Sequence, residues 1–170
     1  PQLTLETGST DAVVNFTSVS GATLTFNYTV ASGHLNTDLD YASTSALALN
    51  SGTIRDAATN NATLTLASPG ASGSLAANKA LVSDGVLPTI SSVSLAANNS
   101  TIAVTMSEAV YNATSGSGSL EATDFALSIS GGQATMSSAT PSSISVSGNV
   151  YTLGLSLNRT PNGSEVLTVV

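Results

Sequence analysis

Apolar side chains recur at every second position in short runs along this chain and nowhere sustain the 3.6-residue spacing of an amphipathic helix. Leu3 and Leu5 alternate with Thr4 and Glu6, and Val14 and Phe16 with Asn15 and Thr17. In the clearest run, 22–30, Leu24, Phe26, Tyr28 and Val30 share one face, with Thr25, Asn27 and Thr29 on the other. The same period returns at Leu47 and Leu49, across 62–67, at Ile102, Val104 and Met106, and at Phe125, Leu127 and Ile129. A weaker strand is expected across 133–139. Tyr151, Leu153, Leu155 and Leu157 form the last long run, and Gly148-Asn149 before it is a two-residue hairpin turn. The stretch 74–79 has room for one helical turn but shows no convincing cap. Many short strands at close spacing predict an all-β chain of antiparallel sandwiches.

Asp84-Gly85-Val86-Leu87-Pro88-Thr89-Ile90 interrupts this pattern near the middle. Pro88 lacks a backbone donor and drives Leu87 toward extended geometry, while Gly85 permits a turn. Two domains are therefore expected, 1–84 and 85–170, joined by a short linker.

The balance of charge excludes several partners. Ten carboxylates stand against Lys79, Arg55 and Arg159, giving a net charge of -7, which repels a phosphate backbone and disfavours nucleic acid. With no cysteine, disulfides, thiolate nucleophiles and Cys-based zinc sites are removed together. No apolar run reaches the roughly 20 residues of a membrane-spanning helix, so membrane insertion is not expected. A chain of small β domains without disulfides needs another staple, for which bound cations and neighbouring domains are the candidates.

The segments Pro88-Thr89-Ile90, Met106-Ser107-Glu108-Ala109-Val110 and Ala122-Thr123-Asp124-Phe125 resemble bacterial immunoglobulin-like repeats of long surface adhesins and secreted repeat proteins. The first half resembles a companion repeat of the same proteins through Leu3-Thr4-Leu5-Glu6-Thr7-Gly8, Asp38-Leu39-Asp40-Tyr41 and Arg55-Asp56-Ala57-Ala58-Thr59-Asn60. The resemblance implies tandem immunoglobulin-like antiparallel β-sandwich domains, each incomplete at the chain ends. The first lacks its opening strands and the second its closing ones. It also implies an extracellular or cell-surface setting.

Under that family topology, the loop holding Asp38 and Asp40 and the strand end at Glu108 meet near Asp84. Asp38, Asp40, Asp84 and Glu108 are then candidate ligands for Ca²⁺, which takes six to eight oxygens. Asp56–Asn60 is either a second cation loop or an Asx turn. Eight Asn-x-Ser/Thr sequons, at Asn15, Asn27, Asn61, Asn98, Asn99, Asn112, Asn158 and Asn162, are candidate glycosylation acceptors, although a chain this rich in Ser and Thr raises their number by composition.

Nothing in the sequence organises catalysis. His34 is the only histidine and reads as a solvated loop residue, and no Gly-x-Ser-x-Gly elbow is present. Glu6, Glu121 and Asp124 read as surface carboxylates, and Tyr28 and Tyr151 as core residues. The expected function is that of a stiff structural or adhesive spacer whose partners are neighbouring repeats or identical subunits. The alternatives are a filament subunit joined to its copies by β-strand complementation and a carbohydrate-binding module. The last is disfavoured by the absence of Trp.

Overall fold

The computed structural model describes residues 1–170 as two compact units, Pro1–Leu87 and Pro88–Val170. Strand accounts for 35% of the chain and helix for 4%, and every strand pair is antiparallel, so the protein is all-β. No helix is long and apolar enough to cross a membrane.

The first unit is built on a four-stranded sheet. Strands β1 (Gln2–Leu5), β2 (Ala12–Ser20), β3 (Thr23–Phe26) and β5 (Leu47–Ala48) stand in the order β3-β2-β1-β5, and a small ladder pairs β4 (Leu35–Asn36) with β6 (Ser83–Asp84). Alternation decides which side chains turn inward: Leu5 and Val14 are buried with Leu39, Tyr41 and Ala46, and Leu3, Phe26, Tyr28, Leu66 and Leu75 pack around them. A bulge between Phe16 and Ser18 shifts the β2–β3 register, and the Phe16 and Phe26 rings meet edge to face at 6.2 Å.

Several elements depart from the sequence reading. The run 22–30 is a strand only as far as Phe26, because Tyr28 leaves the ladder and hydrogen-bonds His34 instead. The stretch 62–67 makes isolated bonds, Ala62 N–H to the Ile54 carbonyl and Leu66 N–H to that of Thr44, rather than a regular strand. The helical turn does form, as α1 (Leu75–Asn78), and it is capped: the Ser74 hydroxyl accepts from the Ala77 N–H. Asp84 belongs to the first unit because it pairs with Leu35. Gly85 is held there too, its N–H donating to the His34 carbonyl and its own carbonyl accepting from Gly33. A Cβ at residue 85 would run into the Ala31 carbonyl oxygen, so glycine is required by the close approach of two backbones. The division therefore falls at Leu87–Pro88, where no ladder bond holds the chain.

The second unit is a sandwich. One sheet has β7 (Ile90–Leu95), β8 (Thr101–Met106), β10 (Ile144–Ser147) and β11 (Val150–Gly154) in the order β10-β11-β8-β7. The other has β9 (Leu127–Ser130) paired with β12 (Val166–Val169), preceded by a 3₁₀ turn over Ala122–Asp124. Ile102, Val104 and Leu153 from the first sheet and Leu127 from the second form one buried cluster, with Leu167 and Val169 packed against it. The two sheets thus face each other across a single core. The Gly148-Asn149 hairpin closes as the sequence predicts: Ser147 stands opposite Val150, and Gly148 takes a φ of 58° that an L side chain resists. The weak strand expected over 133–139 is reduced to one bridge, Met136 to Leu157.

Candidate functional sites and the carboxylates that build loops

Three carboxylates, Asp40, Asp56 and Glu165, are held below their usual pKa values, and each accepts hydrogen bonds from nearby backbone N–H groups. Asp40 is buried, with Oδ1 accepting from the N–H groups of Tyr41 (2.9 Å) and Leu75 (3.2 Å) and Oδ2 from that of Gly70 (2.9 Å). The fully buried Ser74 hydroxyl is near the carboxylate and also favours its charged form. Burial pushes the Asp40 carboxyl up, but the Gly70, Tyr41, Ser74 and Leu75 donors together outweigh it and hold the group below the usual aspartate value. One side chain thereby ties the 39–41 segment to the 70-loop and to the start of α1. Beside it, the Tyr41 hydroxyl donates to the Ala67 carbonyl at 2.7 Å, and burial together with the Asp40 charge raises its pKa.

Glu165 does the same work in the second unit. Its Oε1 accepts from the N–H groups of Gln133, Ala134 and Asn162, and its Oε2 from those of Asn162 and Gly163, at 2.9–3.1 Å. Partial burial pushes the carboxyl up. The donors at Asn162, Ala134 and Gln133 outweigh that effect and bring it from 4.5 to about 2. Because this folded-state value lies below that of the unfolded chain, the stabilisation is complete above about pH 4.5 and is lost as pH falls toward 2. Glu165→Gln is therefore expected to destabilise the second unit at neutral pH and to flatten its acid unfolding between pH 4.5 and 2. Circular dichroism against pH, compared with the parent chain, measures both; an unchanged acid profile would remove Glu165 from this role.

Asp56 closes the third such loop: Oδ1 accepts from the N–H of Asn60, four residues on, at 2.8 Å and Oδ2 from its side-chain amide at 2.9 Å, a wider closure than an Asx turn. These bonds, the side-chain one foremost, lower the Asp56 pKa.

Of the residues proposed from sequence to hold calcium, Asp38 and Asp84 are exposed members of the first unit, and Asp40 is buried in the network just described. Asp84 Oδ1 accepts from the Val86 N–H, and the Asp38 N–H donates to the Asn36 side chain. Glu108 lies half-buried in the second unit just past β8. No group of three or more His, Asp or Glu side chains is gathered in a way that could hold a metal ion.

The other expected residues fall as follows. The sequons at Asn15, Asn27, Asn61, Asn98, Asn112, Asn158 and Asn162 are exposed, and Asn99 is half-buried with a φ of 57°. Most are already engaged: Asn158 bonds Ser137 and Thr135, Asn112 bonds Asp124, and Asn61 accepts from the Arg55 guanidinium. His34 is not a solvated loop residue. It is half-buried and stacks on Tyr28 at 5.7 Å, while its Nδ1 bonds the Tyr28 hydroxyl at 2.8 Å and accepts from the Ala31 N–H. That N–H can only donate, so Nδ1 is the acceptor nitrogen and the proton of the neutral ring sits on Nε2. Glu121 and Asp124 cap the 3₁₀ turn reciprocally.

The carboxylates with lowered pKa values, Asp40, Asp56 and Glu165, are closed over by N–H groups. No protein family, curated protein or solved structure matches the chain.

Proposed function

We propose that this chain is a spacer segment of a long extracellular structural or adhesive protein, made of two tandem immunoglobulin-like sandwiches that hold a distal binding end away from a surface. The observation that carries the reading is the strand order of the second unit. In an immunoglobulin-like sandwich the first, second, fifth and fourth strands lie side by side in one sheet, and the third and sixth pair in the other. Here β7, β8, β11 and β10 are the first, second, fifth and fourth strands of the unit and lie in that order, while β9 and β12 are the third and sixth and pair. The loop-building roles of Asp40, Asp56 and Glu165 support the same reading, since they direct charge toward stiffening loops.

The mechanism is resistance to extension. A pull along the chain must break the antiparallel ladders of β7 on β8 and of β12 on β9 before the second unit lengthens. Single-molecule stretching of the chain between two handles is expected to give two discrete unfolding steps. At about 3.4 Å per extended residue each step releases roughly 300 Å. Smooth lengthening without force peaks would overturn the spacer reading.

A further inference from the structure

Asparagine followed by glycine occurs once in this chain, at Asn162-Gly163, in the loop between β11 and β12, where both residues are exposed. The pair is chemically frail on general grounds. Asparagine is a thermolabile residue, and a following glycine sets no Cβ in the way when its backbone nitrogen attacks the asparagine side chain. Here two features act on the pair in opposite directions. Asn162 Oδ1 accepts from the Ser164 N–H at 3.0 Å, which closes an Asx turn. The hydrogen-bonded ring contains both Cγ of Asn162 and the nitrogen of Gly163, the two atoms that must join, and the donor draws electron density from Cγ. Against this, the Gly163 N–H donates to Glu165 Oε2 at 2.9 Å, and the Asn162 N–H donates to both carboxylate oxygens. Glu165 is itself anchored across the fold by the N–H groups of Gln133 and Ala134. With a pKa of about 2 it is a poor base, so it holds the Gly163 proton without removing it.

We propose that Asn162 is a deamidation site whose rate Glu165 sets, by guarding the nitrogen of Gly163. When the guard opens, that nitrogen gives up its proton to hydroxide and attacks Asn162 Cγ. A C–N bond forms, the bond to the side-chain nitrogen breaks, and ammonia leaves after taking a proton from water. The product is a cyclic imide over residues 162 and 163. Water then opens it at either carbonyl, leaving aspartate, or isoaspartate with the main chain running through Cβ and Cγ. Nothing is oxidised or reduced, and water is the only co-reactant. Both products act back on the guard. Each adds a carboxylate to the loop that Glu165 holds, where like charges repel. Isoaspartate also inserts one atom between the two N–H groups that Glu165 grips. The reaction therefore runs one way and loosens the tie between residues 162–163 and 133–134, a slow clock built into the second unit. It is independent of the spacer reading, since it needs no force and no neighbour.

The test is the rate of deamidation at Asn162, followed by peptide mass spectrometry on the whole chain held at mildly alkaline pH. Glu165→Ala is expected to speed it about tenfold or more, the factor that losing a hydrogen bond to a charged group gives to local opening. Leu153→Ala is the control: it weakens the core of the same unit yet leaves Glu165 in place. Both variants are kept at a temperature where circular dichroism shows them folded. Glu165→Ala should then deamidate faster than Leu153→Ala at Asn162, while Asn99, which is followed by Ser100 in the same unit, stays slow in both. Aged parent chain should carry isoaspartate at 162 and unfold at a lower temperature than fresh chain. Three results would overturn the proposal: a Glu165→Ala rate equal to that of the parent, a faster rate in Leu153→Ala, or deamidation that reaches Asn99 before Asn162.

Discussion

Leu153→Ala is expected to remove about 3–5 kcal/mol from the second unit, the range observed when a large aliphatic side chain is deleted from a core that cannot close over the space. Leu153 has no exposed surface and stands in β11 directly opposite Ile102 of β8, in contact with the cluster that both sheets share. Its neighbours are anchored in ladders on both sides, β8 and β10, so the backbone has little freedom to collapse. A unit of this size has a total stability on the order of 4–12 kcal/mol. The substitution therefore takes away a large share of it. Hydrogen exchange resolves the effect by residue: amides of β8, β10 and β11 should lose protection together. Loss of protection in β12 alone, with β8 unchanged, would show that Leu153 does not join the two sheets.

Leu153 also shows what a sequence carries plainly. Its place on the inner face follows from alternation with Thr152 and Gly154, and the Gly148-Asn149 turn sets the register that brings it opposite Ile144. Period-two patterning is a local signal, so strands that obey it over four or more residues were legible. Where bonding to a loop overrides the pattern, the sequence misleads. Tyr28 keeps the alternation but leaves β3 for His34, and 62–67 alternates without a partner strand to complete a ladder. The cap at Ser74 had a local signal, a hydroxyl directly before a helix-forming Leu-Ala-Ala run, that the sequence reading passed over. Glu165 had none. That holds for its donors at Gln133 and Ala134, about thirty residues away, which only the folded chain brings to it; the donors at Asn162 and Gly163 are local.

Asp40→Asn should lower the unfolding midpoint of the first unit on the order of 10 °C or more, corresponding to about 2–4 kcal/mol. The amide is nearly isosteric, so packing around Leu39 and Tyr41 survives; what changes is hydrogen-bond chemistry. A carboxylate accepts at both oxygens, and here its hydrogen-bond partners are all donors, the N–H groups of Tyr41, Leu75 and Gly70. An amide turns its NH₂ toward at least one of them, leaving a buried donor facing a donor. The drop should vanish at low pH. The folded-state pKa of Asp40 lies below the unfolded value of 3.8, so its contribution is present above that value and disappears as pH falls through the folded one. The midpoint drop should also be the same in Ca²⁺ and in a chelator, because the oxygens are engaged by backbone within one unit. A drop seen only with Ca²⁺ present would instead make Asp40 an ion ligand. A drop of less than a degree or two at neutral pH would mean that α1 and the 70-loop hold their places without it.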